Sequence, residues 1–328
     1  MHNFDILEKL IGNTPLIGIK YRLNDQEGIV YVKCEHYNFT GSIKDRIALY
    51  ILREAFLENK LKAGDTIVEA TSGNTGISLA AIGKLIGCNV TIVMPSWMSK
   101  ERKRLIQSFG AKVISVTRKK GGFLRSIAIA KKKAKLPKVF YPDQFSNVNN
   151  VKAHEITGDE IYNQLKDRGL RIDGFIAGVG TGGTIIGVGK GLRKYSPNVK
   201  IHPLEPFESP TLSTGSKTGK HRIQGISDEF IPDIMKMDKT DEIIQVSDGD
   251  AILMSQKLAQ TLGLGVGISA GANLVGAIML QQKYGYNSVI ATVFPDCNKK
   301  YMSTDLAKNE VEKEHYLTPK IELLEIIV

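Results

Sequence analysis

A single lysine lies at the junction between a polar loop and a predicted helix. Lys44 follows the short segment 38–42 and begins a stretch that predicts a helix over Lys44–Lys60. The positive end of a helix dipole disfavours a second positive charge in the first turn, so the field there favours the uncharged amine. An uncharged lysine amine is the nucleophile that Schiff-base chemistry requires. The alternative is an exposed lysine next to Asp45, an ordinary first-turn acid.

A second polar loop, Thr71–Gly76, follows the strand predicted over Thr66–Ala70. It carries three hydroxyl side chains, one asparagine and two glycines in six residues. Backbone N–H groups at the start of a helix bind carboxylates and phosphates, and small side chains keep those groups accessible. We therefore expect an anion site at this loop. The alternative is a simple helix cap, because Ser, Thr and Asn are favoured capping residues.

A third loop, Gly178–Thr184, contains four glycines and lies between a predicted strand and a predicted helix. Glycine lets the backbone approach an anion closely, and the helix that follows supplies the dipole. The loop also satisfies G-x-G-x-x-G, the dinucleotide-binding pattern, with Glu205 as an acidic residue at the end of the next strand. Pro203 and Pro206 flank that glutamate, unlike a strand end that binds ribose. An anion site is expected here, and the pattern alone leaves its ligand open.

Two further loops, Gly267–Ala272 and Phe294–Asn298, follow apolar stretches and are small and polar. Each is compatible with tight packing alone. His36 and His154 lack the spacing of metal ligands, and no serine, histidine and aspartate set indicates hydrolysis. We expect no metal site.

The 328 residues carry a formal net charge of +10, with dense lysines at 131–135. No nucleic-acid-binding motif accompanies these lysines, so they predict solubility rather than nucleic-acid binding. The chain contains no apolar run long enough to span a bilayer, and its start lacks the pattern of a secretion signal. Three cysteines without zinc spacing indicate free thiols. We expect a cytoplasmic protein that binds neither nucleic acid nor membrane.

Apolar segments of strand length alternate with segments of helix length along most of the chain. The strands are rich in Val and Ile and nearly continuously apolar, as expected for strands buried on both faces. This alternation predicts an α/β, doubly wound architecture with parallel sheets, and the length favours two lobes. The region 206–220 is rich in turns and is expected to be a loop near a cleft. The charged tail from Lys308 onward is expected to wrap the surface.

Taken together, the loops resemble the cysteine synthase and cystathionine β-synthase family of fold-type II pyridoxal-phosphate enzymes. The resemblance begins at Ile11 and extends to about Asp305, with the motifs in the family's order. The matching segments are Ile11-Gly12-Asn13-Thr14-Pro15-Leu16, Ser42-Ile43-Lys44-Asp45-Arg46 and Thr71–Gly76. Phe39 stands where the family has a proline, a minor departure. The resemblance implies the two-lobed fold of the tryptophan synthase β-like kind, pyridoxal phosphate as cofactor and a homodimer.

The resemblance also implies a role for each matching residue. Lys44 would be the lysine that forms the Schiff base with the cofactor and moves the α-proton. Asn74 would hold the ring oxygen of the cofactor, and Ser269 would face its pyridine nitrogen. The phosphate would lie in the loop formed by Gly180, Thr181, Gly182, Gly183 and Thr184. The substrate would be bound by Thr71, Ser72, Asn74, Thr75, Gln144, Gly225 and Glu229.

The resemblance implies β-replacement on a β-substituted alanine through an aminoacrylate intermediate. The uncharged Ser269 hydroxyl leaves the ring nitrogen unprotonated, which favours loss of a β-substituent over deeper carbanion chemistry. Cysteine synthase, which makes cysteine from O-acetylserine and sulfide, is the first expectation. A nicotinamide-dependent oxidoreductase, using the Gly178–Gly183 loop, is the alternative outside this class, and a catalytically silent binding relative is a further one.

The departure from sulfide-using members lies at Ser227-Asp228-Glu229, where those members have small residues. Members similar to cystathionine β-synthase carry an acid at the position of Glu229, and Pro295-Asp296 also resembles them. A carboxylate there pairs with the ammonium of a second amino acid or positions a water. The alternative reaction is therefore production of H2S from cysteine, or synthesis of lanthionine or cystathionine. The sequence leaves the leaving group and the nucleophile open.

The resemblance further implies how the chain divides. Residues 1–43 and 149–310 are expected to form the larger, cofactor-binding domain. Residues 44–148 are expected to form a smaller, mobile, substrate-binding domain. Residues 311–328 are expected to be a C-terminal tail.

Overall fold

The computed structural model describes residues 2–227 and 229–328, and it builds them into two sheets flanked by helices. The strands are β1 Leu16–Leu23, β2 Gln26–Lys33, β3 Thr66–Ala70, β4 Asn89–Pro95, β5 Lys112–Val116, β6 Val139–Phe140, β7 Gly174–Gly178, β8 Lys200–Pro206, β9 Ile244–Val246, β10 Ile290–Val293 and β11 Ile321–Ile327. The helices are α1 His2–Leu10, α2 Lys44–Leu57, α3 Asn74–Leu85, α4 Lys100–Ser108, α5 Gly122–Lys133, α6 Val148–Lys166, α7 Gly183–Arg193, α8 Thr211–Thr214, α9 Asp248–Leu262 and α10 Ile268–Tyr284.

The larger sheet has seven strands in the order β11-β1-β2-β10-β7-β8-β9, and the smaller has four in the order β5-β4-β3-β6. Every pair in the smaller sheet is parallel. In the larger sheet the pairs from β2 to β9 are parallel as well. The predicted α/β architecture with parallel sheets is confirmed. Strand–helix alternation predicted it, because a helix in a βαβ crossover connects parallel strands.

One edge of the larger sheet is antiparallel. Strand β1 pairs antiparallel with β2 along its whole length, through a tight turn at Asn24 and Asp25. Both turn residues have positive φ (50° and 59°), a conformation that Asn and Asp tolerate better than most residues. A two-residue connection cannot accommodate a parallel crossover, so this hairpin is antiparallel.

The C-terminal tail also differs from expectation, because it does not merely wrap the surface. Strand β11 pairs antiparallel with β1 and extends the larger sheet by one edge strand. Ile321 and Leu323 are buried in the core of that sheet, whereas Glu322 between them is exposed. The apolar, strand-length segment Ile321–Ile327, interrupted only by Glu322 and Glu325, is the signal for this strand.

The two sheets have separate apolar cores, with α9 and α10 on one face of the larger sheet. Helices α6 and α7 pack against each other and cover the other face. Although β1 of the larger sheet follows α1 along the chain, α1 packs with the smaller sheet. Its residues Phe4 and Leu7 lie in the core formed by that sheet, α2 and α3. Within the described residues, no helix is both long and apolar enough to cross a membrane.

The packing of β11 predicts unequal effects for two adjacent substitutions. Leu323→Ala removes a buried side chain and should lower the free energy of unfolding by about 2–5 kcal/mol. Glu322→Ala removes an exposed ion pair with Arg22 (2.7 Å) and should cost only about 0–1 kcal/mol. Urea unfolding followed by circular dichroism measures both. Equal midpoints for the two variants would contradict a structural role for the tail.

Candidate active site

A cavity opens at the carboxyl ends of strands from both sheets. Ligands of doubly wound folds bind at this edge, where loops lead into helix N-termini. Twelve of the fourteen residues predicted for the site line it: Lys44, Thr71, Ser72, Asn74, Thr75, Gln144, Gly180, Thr181, Gly182, Thr184, Gly225 and Ser269. Gly183 is buried behind the lining as the first residue of α7, and Glu229 lies elsewhere.

Lys44 is the first residue of α2, and the segment just after β10 holds the loop that precedes this lysine. Ile43 N–H donates to the Pro295 carbonyl (2.8 Å), and Ser42 forms an isolated bridge with Asp296. On the other side, the buried Asp45 carboxylate accepts from Thr40 N–H (2.6 Å) and from the Thr40 hydroxyl (2.5 Å). The backbone on either side of the lysine is therefore held by hydrogen bonds.

The Thr71–Gly76 loop and Gln144 form one wall of the cavity. Thr75 Oγ1 donates to Gln144 Oε1 (2.7 Å), and Gln144 Nε2 donates to the Ala70 carbonyl (2.7 Å). Gly73 has a φ of 145°, a conformation open essentially to glycine alone, and it turns the chain into the N-terminus of α3. This wall presents hydroxyls, amides and a positive helix end, which suits a carboxylate.

The glycine-rich loop forms a second anion-binding wall at the N-terminus of the eleven-residue helix α7. A Cβ on Gly183 would overlap the Asn150 side chain, and one on Gly180 would overlap the Gly225 carbonyl. Asn150 Nδ2 in turn donates to Thr181 Oγ1 (3.0 Å). Glycine is therefore required at these two positions because a side chain would not fit. Its lack of a side chain also leaves the backbone N–H groups accessible.

His154 supports this wall from behind, without reaching the cavity. Its Nε2 is 3.3 Å from Thr184 Oγ1, and its Nδ1 is 3.2 Å from Thr157 Oγ1. Complete burial, with the positive charges of Lys44 and Arg46, lowers the pKa of His154 well below its ordinary value. The neutral ring orients the Thr184 hydroxyl and adds no charge.

Gly225 and Glu229, predicted together, lie in different places. Gly225 lines both the inner cavity and an adjoining outer cleft, whereas Glu229 lines only the outer cleft. Glu229 Oε1 pairs with Lys217 Nζ at 3.0 Å. Lys217 comes from the turn-rich region 206–220, which does border a cleft as expected. The prediction for Asp228 falls outside the described residues.

The inner cavity also includes residues that were not predicted as site residues, among them Arg102, Tyr301 and Asp296. Arg102 and Tyr301 line the cavity, and the Asp296 carboxylate is buried beside them. Asp296 Oδ2 accepts from Asn74 Nδ2 and from the Tyr301 hydroxyl, each at 2.7 Å. Arg102 follows β4 and its loop, so attention to the carboxyl end of that strand could have found it. Nothing in the sequence around Tyr301 indicates its position.

Glu69 is a buried carboxyl just behind the carboxylate-binding wall. It accepts from Ala70 N–H (2.8 Å) and from Gln144 N–H (3.1 Å), and so connects the two segments of that wall. Burial is the main cause that raises its pKa to about 8, and Asp143 adds to the shift. The hydrogen bonds from the two N–H donors lower the pKa of Glu69, but the increase caused by desolvation is larger.

The raised pKa predicts a pH-dependent stability. Protonated Glu69 contributes stability fully below its unfolded pKa near 4.5, and that contribution is lost as the pH rises through the folded value of about 8. Glu69→Gln should therefore flatten the decline in the free energy of unfolding between about pH 5 and about pH 9. Urea unfolding across that range measures the slope, with the exposed Glu314→Gln as control. An unchanged slope in Glu69→Gln would rule out this origin.

A model of the family described as pyridoxal-phosphate dependent enzyme matches residues 7–296. Cysteine synthase of Staphylococcus aureus (strain Mu50 / ATCC 700699) is 41% identical over 303 residues, covering 92% of this chain and 96% of that protein. The crystal structure of a hydrogen sulfide-producing enzyme from Fusobacterium nucleatum is 55% identical, covers 99% of each chain and superposes with a TM-score of 0.96. A mutant of a hydrogen sulfide-producing enzyme, complexed with an α-aminoacrylate intermediate, is also 55% identical, with a TM-score of 0.97 over 100% of this chain and 99% of that one.

These similarities confirm the predicted family, the fold class, the pyridoxal-phosphate cofactor and the β-replacement chemistry. They favour this cofactor over the dinucleotide alternative for the Gly178–Gly183 loop. The chain belongs to the family of pyridoxal-phosphate-dependent enzymes.

Proposed function

We propose that this enzyme exchanges sulfide at the β-carbon of a three-carbon amino acid, and that it acts as a cysteine synthase on O-acetylserine and sulfide. The observation that carries the proposal is the charge of the inner cavity. Its lining contains Lys44 and Arg102 but, among the described residues, no Asp or Glu. Such a cavity suits a small anion such as hydrosulfide. The one predicted carboxylate, Glu229, is paired with Lys217 in the outer cleft.

The residues present fit pyridoxal phosphate. The glycine-rich loop leaves space that a Cβ would fill, at a helix N-terminus that favours a phosphate. Asn74 Oδ1 is buried and has no hydrogen-bond partner among the described residues, so a polar group belongs beside it. Ser269, at the start of α10, lines the same cavity as Lys44. Lys44 would anchor the cofactor, Gly180–Thr184 its phosphate, and Asn74 and Ser269 its ring.

Bound pyridoxal phosphate would withdraw electrons from the α-carbon of the substrate, which makes the α-hydrogen acidic. Lys44 would take that proton and later return it. Thr71, Ser72, Asn74, Thr75 and Gln144 would bind the substrate carboxylate, since they form the wall of hydroxyls and amides. The hydrogen bond from Thr75 to Gln144 fixes the orientation of both side chains before substrate arrives. Gly225 would leave room for the β-substituent.

The second candidate is the opposite use of the same cavity, with cysteine consumed and H2S released. It is favoured by the 55% identity to a hydrogen sulfide-producing enzyme over nearly the whole chain. Water or a thiol amino acid would then replace the sulfur. An amino-acid acceptor would enter through the outer cleft, where Glu229 could exchange Lys217 for the acceptor's ammonium.

We also propose that residues 44–148 form a smaller, mobile, substrate-binding domain against the larger one of 1–43 and 149–310. Support comes from the smaller sheet, whose strands all lie within 66–140. Helix α1 is an exception to this division, because its residues Phe4 and Leu7 pack in the core of the smaller sheet. A homodimer in the cytoplasm is proposed by analogy with the family, and the free thiols of the three cysteines are compatible with a reducing compartment.

The two candidate reactions make opposite predictions. As a cysteine synthase, the holoenzyme should form cysteine from O-acetylserine and sulfide faster than it releases H2S from cysteine alone. Acid ninhydrin measures cysteine, and methylene blue measures H2S. Rapid H2S release with poor cysteine synthesis would replace the first candidate by the second.

Two variants serve as controls in both assays. Lys44→Ala should lower both rates by about 10²–10⁴-fold, because the proton carrier is lost. Glu229→Gly should leave both sulfide reactions unchanged, because Glu229 lies outside the inner cavity. It should slow only reactions with a thiol amino acid.

The packing of the glycine-rich loop predicts a defect in cofactor binding. In Gly183→Ala the added methyl group would displace Asn150 and, through it, the Thr181 hydroxyl. Overpacking of this kind costs about 1–3 kcal/mol, so the dissociation constant of pyridoxal phosphate should rise about 10- to 100-fold. Gly189→Ala in the same helix, where the new Cβ would lie 3.3 Å from Ile201, is the control. Absorbance titration of the apoprotein with cofactor measures both. Wild-type affinity in Gly183→Ala would contradict the proposed phosphate site.

A further inference from the structure

Arg102 is a buried cation with no role in the functions assigned so far. Its side chain is 2% exposed and lines the inner cavity. The chain makes room for it, since a Cβ on Gly73 would overlap the Arg102 side chain. The guanidinium carbon lies 4.4 Å from the centroid of the Tyr301 ring. An arginine remains charged at any physiological pH, and a buried charge is costly unless it is compensated.

The partners of Arg102 compensate it only in part. One terminal nitrogen donates to Gln224 Oε1, and the other lies 3.6 Å from Asp296 Oδ2. That carboxylate oxygen already accepts from Asn74 and Tyr301. Arg102 Nε is buried and has no hydrogen-bond partner within the described chain. A guanidinium has five N–H groups, so donors and positive charge remain for an anion in the cavity.

The position of Arg102 indicates which anion this is. The substrate carboxylate already has a wall of its own, built by Thr75, Gln144 and the N-terminus of α3. The guanidinium instead reaches Gln224, one of the residues that the inner cavity shares with the outer cleft. A β-substituent must pass this border when it leaves or enters.

We infer that Arg102 binds the β-substituent as an anion while its bond to the β-carbon breaks or forms, and so selects substituents that depart with negative charge. The inference rests on the proposed function and deepens it. In the elimination half, Lys44 takes the α-hydrogen as a proton, and the electron pair of that C–H bond becomes the second bond between Cα and Cβ. The pair of the Cβ–S bond leaves with sulfur as hydrosulfide, or the pair of the Cβ–O bond leaves with acetate.

Arg102 acts where this negative charge develops, as donors in an oxyanion hole do. Hydrosulfide is a stronger base than acetate, so the negative charge that develops on it as it leaves needs more stabilisation. The planar guanidinium is also weakly hydrated, which suits a diffuse sulfur anion better than a lysine ammonium would. The same contact would hold hydrosulfide beside the β-carbon when the reaction forms cysteine.

The test compares leaving groups of decreasing basicity: hydrosulfide from cysteine, acetate from O-acetylserine and chloride from β-chloroalanine. Arg102→Met holoenzyme should lose about 10²–10³-fold in kcat/KM with cysteine, the scale expected for removal of one anion-stabilising donor. The loss should be smaller with O-acetylserine and smallest with β-chloroalanine. Arg102→Lys, which keeps the charge, should recover part of the loss with cysteine. Arg104→Met, an exposed arginine of the same helix, is the matched control.

A binding measurement separates charge from folding. Calorimetric titration of each holoenzyme with thiocyanate, a small sulfur anion, should give at least a tenfold weaker dissociation constant in Arg102→Met. Arg102→Lys should lie between, and Arg104→Met should match wild type. The visible absorbance of the cofactor and the melting temperature verify that each variant is folded and loaded.

Two kinetic results would overturn the inference: equal losses with all three leaving groups, or a rise in KM without a change in kcat. The second would assign Arg102 to the substrate carboxylate instead. Unchanged thiocyanate affinity in Arg102→Met would also overturn it. Failure of the wild type to act on any of the three substrates would instead refute the proposed function itself, whatever Arg102 does.

Discussion

The carboxyl end of β10 positions groups from both sheets, and the rest of the site depends on it. The Pro295 carbonyl holds the backbone just before Lys44, and Asp296 forms the bridge to Ser42. The Asp296 carboxylate also accepts from Asn74, which begins α3 above the smaller sheet. The dipeptide Pro295-Asp296 therefore sets the lysine and the Thr71–Gly76 loop relative to each other. Because Asp296 is completely buried, loss of its partners would leave an uncompensated charge, so the arrangement is specified strongly.

The charges around the cavity explain why it can serve reactions of anions. Positive groups face it from Lys44, Arg102 and the N-terminal ends of α3 and α7, whereas the nearby acids are engaged elsewhere. Asp296 is shared among Asn74, Tyr301 and Arg102, and Glu229 is paired outside with Lys217. A neutral His154 supports the phosphate wall. In the proposed arrangement the carboxylate, the phosphate and the β-substituent would each meet a separate positive region, and this separation would let one small cavity orient all three.

Much of this arrangement follows from local sequence. Glycines and hydroxyl residues between a buried strand and a helix build an anion site by backbone geometry alone, so Thr71–Gly76 and Gly178–Thr184 were predicted from type and spacing. The helix that begins at Lys44 and the strand Thr66–Ala70 were also predicted at their observed starts. The hairpin of β1 and β2 was not predicted. The edge strand β11 was missed because its charged residues suggested a tail, although the segment is otherwise apolar.

The sequence by itself determined the fold class and the cofactor family, and it predicted the lysine, since each depends on short motifs whose chemistry is local. Only the tertiary structure decided what surrounds the β-substituent. Arg102 and Tyr301 are 199 positions apart along the chain, and their contact arises because α4 of the smaller half meets the segment after β10. The same packing places Glu229 in the outer cleft, although Gly225, only four positions before it, lines the inner cavity. Contacts between distant segments have no signature in a single sequence, because they depend on how two separate cores come together.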